Sequence, residues 1–484
     1  MRKIYSIIIA VALLAAGVAM TGCNNKDNNN PQEPAKVQKY RMSINASKGA
    51  ENNQVNGVKK VLGLDGTGAL NATWAAGERV TVYNTTRSAV IDGYLEAESN
   101  GASTQLTGEL EGEIEVGDEL MLKFLAPNYT SQQGTLAWIG ANCDYATASV
   151  TVASVSDGTI YTVGTADFVN QQAIVKFILQ DAGGSAINAS QLVIEVGDNT
   201  YGVTLTSAAS EVFVALPGIS GANVSIYSKA GGSWYSKEQA GVTFTVGEYY
   251  AITAKMNQTG TLPGKFSIGA SSVIHFAQGN LQYVGSWQFA ENQWEYYGTS
   301  QYDDHRDLFG WGTGDAPNKV STDPSDYTTF TDWGTNAITN GGNEANMWRS
   351  LTKDEWVYLC NTRTNAANLR SKASVNDLYG FIFLSNDFVL PSGFTFTADA
   401  TDWTTNNYSA SEWKIIESAG AIFLPAAGDR YGSSDYIAVG IRGFYWASTL
   451  KYWNQGYTFY FLDTYLGPQD YYYLNYGRSV RMVR

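Results

Sequence analysis

Cysteine, histidine and proline are scarce in this chain, and each scarcity excludes something. There are three cysteines, Cys23, Cys143 and Cys360, and two histidines, His275 and His305. One widely spaced pair, Cys143 and Cys360, is not the disulfide framework that staples small exported domains, so both read as buried free thiols. Two histidines far apart form no ligand cluster, and no metal is expected. Charged residues make up only 16%, and the net charge is −14. Nucleic-acid binders need basic stripes, so no nucleic-acid partner is expected. Nucleophile-elbow, zincin and phosphate-loop strings are missing. Gly310-Trp311-Gly312-Thr313-Gly314-Asp315 is glycine-rich but lacks the lysine of a phosphate cradle. No catalytic residue and no cofactor are therefore assigned, and the chain is not expected to be an enzyme.

What is present begins at the first residues. Arg2 and Lys3 are followed by an apolar run over residues 7–18 and then Met20-Thr21-Gly22-Cys23-Asn24-Asn25. A basic start, an apolar core too short to span a bilayer comfortably and small residues before a cysteine read as a secretory signal with a lipobox-like cleavage site. Residues 1–22 are the expected signal peptide and Cys23 the expected lipidation site. The Asn- and Pro-bearing stretch 23–38 is a polar tether. The expected location is the outer membrane and cell surface.

The whole chain has 44% hydrophobic residues, 49 glycines, 31 tyrosines and 13 tryptophans against 10 prolines. Glycine with aromatic and β-branched residues points to β structure with many turns. In Trp74-Ala75-Ala76-Gly77-Glu78-Arg79-Val80-Thr81-Val82-Tyr83, Gly77 marks a turn, and Val80 and Val82 then share a strand face. Val175, Phe177 and Leu179 alternate likewise, as do Val242, Phe244 and Val246. Helical periodicity is nearly absent up to Met256. Two β-sandwiches are expected, at 39–155 and 156–257, then a linker at 258–264. Residues 265–484 differ, with two capped helices. Thr352 with Glu355 and Ser409 with Glu412 have capping-box spacing. Trp356, Leu359 and Cys360 share one helical face, and Trp413 and Ile416 another. Strands are expected at 421–424, 443–447, 457–462 and 479–484. The fold class is multidomain: tandem all-β sandwiches followed by an α+β domain.

The Trp74 string, the strand Ala173-Ile174-Val175-Lys176-Phe177 and Phe244-Thr245-Val246-Gly247-Glu248-Tyr249-Tyr250 resemble the fimbrillin-like families. That resemblance covers 40–257 and implies transthyretin-like sandwiches, a pilus location and partner subunits joined by strand addition. It also implies proteolytic processing after a basic residue, for which Arg41 is the candidate. Trp348-Arg349-Ser350-Leu351-Thr352-Lys353-Asp354-Glu355-Trp356, Tyr445-Trp446-Ala447-Ser448 and Gly477 to Arg484 resemble the C-type lectin-like fold. The branch is the one shared with formylglycine-generating-enzyme-like domains. The calcium-binding strings of sugar-binding lectins are missing, and Cys360 is the domain's one cysteine.

Residues 445–476 concentrate tyrosine and tryptophan among Asn, Gln and Asp, which is the chemistry of binding surfaces. Phe459, Phe461 and Trp446 read as core. The candidate ligand contacts are Lys451, Tyr452, Trp453, Asn454, Asp470, Tyr471, Tyr472, Tyr473 and Asn475. Three consecutive strand tyrosines, Tyr471 to Tyr473, cannot all face one side. The expected function is a surface lipoprotein adhesin, at a pilus tip or otherwise pilus-associated, binding a host or bacterial surface protein or glycan. The alternatives are a glycan-capturing lipoprotein outside any pilus, or a variable protein of a diversity-generating retroelement, which such Tyr- and Asn-rich C-terminal segments also resemble.

Overall fold

The computed structural model describes residues 38–48, 63–64, 70–302 and 304–484. The signal, Cys23 and the tether up to residue 37 lie outside the described residues. Two short strands, Gly63–Leu64 and Leu70–Asn71, pair with each other.

The first body is built from β1 (Gln38–Lys48), β2 (Arg79–Asn84), β3 (Ala89–Ala97), β4 (Ser103–Gly112), β5 (Glu119–Phe124), β6 (Ala146–Ser156), β7 (Thr159–Thr162) and β8 (Ala166–Asn170). Their order is β8-β1-β4-β3-β2-β5-β6-β7, and further pairings β8–β6 and β1–β7 close the sheet on itself. Closure leaves β1 paired along both sides, which removes the exposed edge. β1 alternates: Tyr40, Met42, Ile44 and Ala46 point inward, while Arg41, Ser43 and Asn45 point outward. Trp74 is fully buried, with its ring edge-on to Phe124 and Phe168 at 5.7 and 5.1 Å. Gly77 turns with φ +87°, as the string predicts. The expected boundary near 155 is displaced. Ser156 pairs with Thr159, and the sheet continues to Asn170, because β7 and β8 are the strands that close it.

The second body comprises β9 (Ala173–Asp181), β10 (Ala189–Val196), β11 (Asn199–Ala209), β12 (Glu211–Leu216), β13 (Ile219–Ala230), β14 (Ser233–Phe244) and β15 (Tyr249–Gln258). They run in the order β11-β10-β13-β14-β15-β9-β12. Val175, Phe177 and Leu179 are core. Val246 does not join Phe244 inside: the strand stops at Phe244, and Val246 is exposed.

Between the bodies lies α1 (Leu136–Asn142), which the strand-dominated sequence pattern did not announce. Its one local signal is the cap Thr135, which accepts from the Trp138 amide. The loop before it covers the second sheet's edges. The Gln132 side chain donates to the Ala215 carbonyl at 2.9 Å and accepts the Ala215 amide at 2.8 Å. Its backbone carbonyl accepts the Thr204 amide.

Residues 258–264 are not a free linker. Residues 259–264 are all buried, and the amides of Thr259 and Gly260 donate to the Trp234 carbonyl. Gly264 has φ +93°, and a side chain there would meet Gly420 Cα at 2.9 Å. Val193, Tyr227 and Trp234 of the second body share one core with Leu262, Phe266, Phe276 and Trp356. Gln191 donates to the Lys414 carbonyl and to Ser418, and Lys229 pairs with buried Glu417 at 3.4 Å.

The C-terminal body follows as α2 (Lys353–Val357), β16 (Arg370–Val375), β17 (Leu378–Leu384), α3 (Ala410–Ser418), β18 (Ala421–Pro425), β19 (Gly443–Tyr452), β20 (Gln455–Leu462), β21 (Tyr465–Tyr473) and β22 (Met482–Val483). Both capping boxes form as their spacing requires. α2 then widens into a π-helical turn over Tyr358–Thr362, keeping Leu359 and Cys360 inside. The last strand is shorter than the expected 479–484. It pairs with Arg349–Ser350, and Arg484 exchanges both backbone bonds with His275, so the end of this body closes against its beginning.

Candidate functional site

The aromatic run folds into the three-stranded sheet β19-β20-β21. Its hairpin register pairs Tyr452 with Gln455, leaving Trp453 and Asn454 as the turn. The Asn454 carbonyl accepts the Leu474 amide, which fastens that turn to the end of β21.

One face of β20 carries Phe461, Phe459, Tyr457 and Gln455 in period two. Phe459 and Phe461 are fully buried, and the indole of Trp356 on α2 stacks on Phe459 at 4.8 Å and 10°. Helix α2 covers the face only that far. Lys353, its first residue, has its ammonium 5.6 Å from the Tyr457 ring. Beyond it the same apolar stripe continues into solvent. Tyr471 lies opposite Tyr457, and Tyr473 opposite Gln455. The exposures are 55% for Tyr452, 67% for Trp453, 41% for Tyr471 and 47% for Tyr473. The ammonium of Lys451 lies 3.2 Å from the Tyr471 ring centroid, 5.3 Å from Tyr452 and 5.5 Å from Tyr457. Cation–π attraction of this kind holds a lysine over rings without neutralising its charge.

The structure therefore gathers Lys451, Tyr452, Trp453, Asn454, Tyr471 and Tyr473 into one lip. It does not bring the other three candidates there. Tyr472 turns to the opposite face, where it packs on Phe444 and over the guanidinium of Arg478, 4.0 Å from the ring centroid. Arg478 is fully buried. Burial pulls its guanidinium down to about 10, and Asp429 accepts from it at 3.3 Å. Asp470 shares the Tyr472 face and holds the Tyr465 hydroxyl above its ordinary pKa. Asn475 is buried and donates to the Thr322 carbonyl, tying a distant loop to the sheet. Tyr457 and Lys353 complete the lip without having been candidates. Strand register, which pairs Tyr457 with Tyr471, brings in the first, and the start of helix α2 brings in the second.

The two thiols have the core placement expected of them. Cys143 and Cys360 are free and buried, and burial pushes their pKa values up to about 12 and about 11. Arg41 lies within β1, between Glu109 on one side and Thr159 on the other. Its side chain is exposed and 3.8 Å from Glu109. Among the described residues no helix is long and apolar enough to cross a membrane.

No family model and no curated protein matches this chain. Several solved structures align with it. A fimbrial protein from Bacteroides ovatus is 11% identical, covering 92% of this chain and 99% of its own, with a TM-score of 0.25. A fimbrial assembly protein from Parabacteroides distasonis is 10% identical, covering 50% and 95%, with a TM-score of 0.25. The C-terminally truncated tip fimbrial protein Mfa3 from Porphyromonas gingivalis is 8% identical, covering 45% and 95%, again with a TM-score of 0.25. Likeness of that size leaves the function to be argued from the chain's own residues.

Proposed function

We propose that this chain is a lipid-anchored surface adhesin associated with a pilus, which binds its ligand through the β19–β21 lip. The observation that carries the reading is the overshoot of the core stripe. Four large aromatic side chains, Tyr452, Trp453, Tyr471 and Tyr473, stand exposed together at one end of a sheet whose Phe444, Tyr445, Trp446, Phe459, Tyr460 and Phe461 are buried. Rigid aromatic side chains give contact area at small entropic loss, and exposed clusters of them mark binding surfaces. The sandwiches then serve as a stalk. The signal at Cys23 supplies the anchor, and the Trp74 string and its buried environment support the fimbrillin-like reading. The return of the last strand to the start of the C-terminal body supports the lectin-like one. Alanine at Trp453 and Tyr471, with binding to cultured host cells as the readout, tests the lip; adhesion unchanged in the double variant removes it. Electron microscopy of pili labelled against this chain tests the pilus assignment.

Processing after Arg41 belongs to the same reading. Such a cut would release only Gln38 to Arg41 of β1 and leave Met42, Ile44 and Ala46 in the core. A neighbouring subunit's strand would then enter at the Tyr40 position, beside Ile114. N-terminal sequencing decides this, since a mature chain starting only at Cys23 excludes it. Comparing residues 451–475 between isolates tests the variable-protein alternative.

A further inference from the structure

The lip carries a charge as well as rings, and the charge narrows the ligand. Lys353 is neutralised by Asp354, 2.5 Å away, and Glu355 is taken by Arg349 at 2.7 Å. Lys451 has no ion pair or hydrogen bond among the described residues; its neighbours are the rings of Tyr452, Tyr457 and Tyr471. An ammonium has three donors, so Lys451 keeps them for solvent or a ligand. The chain as a whole has a net charge of −14. An unpaired cation set among exposed rings is thus a local reversal of its field.

A second observation bears on the kind of ligand. β21 ends the three-stranded sheet, the position where a peptide strand could add. Yet Pro468 lies within it, and its register with β20 shifts between Thr458 and Tyr460. A proline and a bulge both spoil an edge for main-chain pairing. Beyond the shift only residues 470–473 continue in regular register, a short edge for an added strand, so recognition at this lip rests on side chains: flat aromatic faces, an ammonium, and the amides of Asn454 and Gln455.

Taken with the adhesive reading of the same lip, on which this rests, the geometry points to an anionic glycan as the ligand. A sugar ring stacks on the exposed Trp453 or Tyr471 face, and its carboxylate or sulfate accepts from Lys451. The test uses the full chain, an acidic peptide as comparator and four sugar probes: lactose, sialyllactose, lactose capped with glucuronic acid, and sulfated lactose. An added charge-assisted hydrogen bond predicts about tenfold tighter binding of the acidic probes than of lactose. Lys451→Gln should bring the ratio of acidic to neutral binding to about one, whereas Lys451→Arg should keep it. Trp453→Ala should weaken every probe. The carboxylated and sulfated arms separate the two acidic groups, and preference for either supports the proposal. Equal binding of neutral and acidic probes, with Trp453→Ala still harmful, overturns the anionic class but keeps the lip. Binding insensitive to both Trp453→Ala and Tyr471→Ala overturns the lip itself. An acidic peptide bound more tightly than every sugar overturns the glycan.

Discussion

The two sandwiches use the same strand alphabet and dispose of their surfaces differently. In the first, β1 alternates inward and outward residues, and the core is drawn wholly from residues before 171. In the second, Gln191, Leu192, Val193, Ile194 and Glu195 of β10 are all buried. One face of β10 packs in its own sandwich, and the other packs against the C-terminal body. Strict alternation marks a strand with one wet face, and unbroken burial marks one covered on both. The first body keeps its main core to itself and touches the second through α1 and Gln132, while the second and the C-terminal body are welded through a shared core.

The weld can be broken most severely at Trp234. Trp234→Ala should cost about 4 kcal/mol and lower the melting of the second and C-terminal bodies together, whereas Trp74→Ala should cost a similar amount in the first body alone. Calorimetry with hydrogen exchange would show it, and a C-terminal body that keeps its melting temperature in Trp234→Ala would refute the shared core. Next in size, Glu417→Ala strands the Lys229 ammonium 6% exposed and leaves Gln191 without one acceptor. We expect a loss of about 3 kcal/mol by urea titration, confined to the welded pair.

Acidity should separate the regions by sign. Asp307 in the C-terminal body is pushed up to about 7 by burial, from an ordinary 3.8. The folded form then holds a proton that the unfolded form has lost, so this body should weaken as pH rises from about 4 to about 7. Asp307→Asn should flatten that slope. Asp118 in the first body behaves oppositely. Burial opposes its ionisation, but bonds from Arg87, the Glu115 amide and Asn84 outweigh that and hold it below the ordinary value. Its contribution is present above the unfolded pKa of 3.8 and is lost as pH falls through its lower folded value. Smallest of all, Trp453→Ala should change stability by less than about 0.5 kcal/mol while reducing adhesion, because its ring touches solvent rather than core.

Local features of this fold are legible in the sequence. Thr352 with Glu355 and Ser409 with Glu412 are short-range devices, and both form. Trp74, Gly77, Val80 and Val82 carry their placement in their spacing. Long-range features were not legible. Residues 258–264 have a linker's composition, yet Gly264 is there because Gly420 approaches it, a contact no local window contains. The same limit applied to the lip. The triple tyrosine required that at least one ring turn away, but the one that turns, Tyr472, is chosen by Arg478 beneath it. Asn475 looked like an adaptable polar contact and is instead spent inside, on Thr322.

Gln132 sets an order of dependence between the bodies. Its carboxamide offers Ala215 the donor and acceptor that a peptide group of a neighbouring strand would offer, and its own carbonyl serves Thr204 on the other rim. The first body thus supplies a prosthetic rung to a ladder it does not belong to. A fragment starting at Ala173 would lack those partners, and bare strand rims of that kind favour pairing with another chain. Residues 130–134 of the first body thus cap backbone groups on both rims of the second sheet, so the order in which the bodies form decides whether those rims are ever bare.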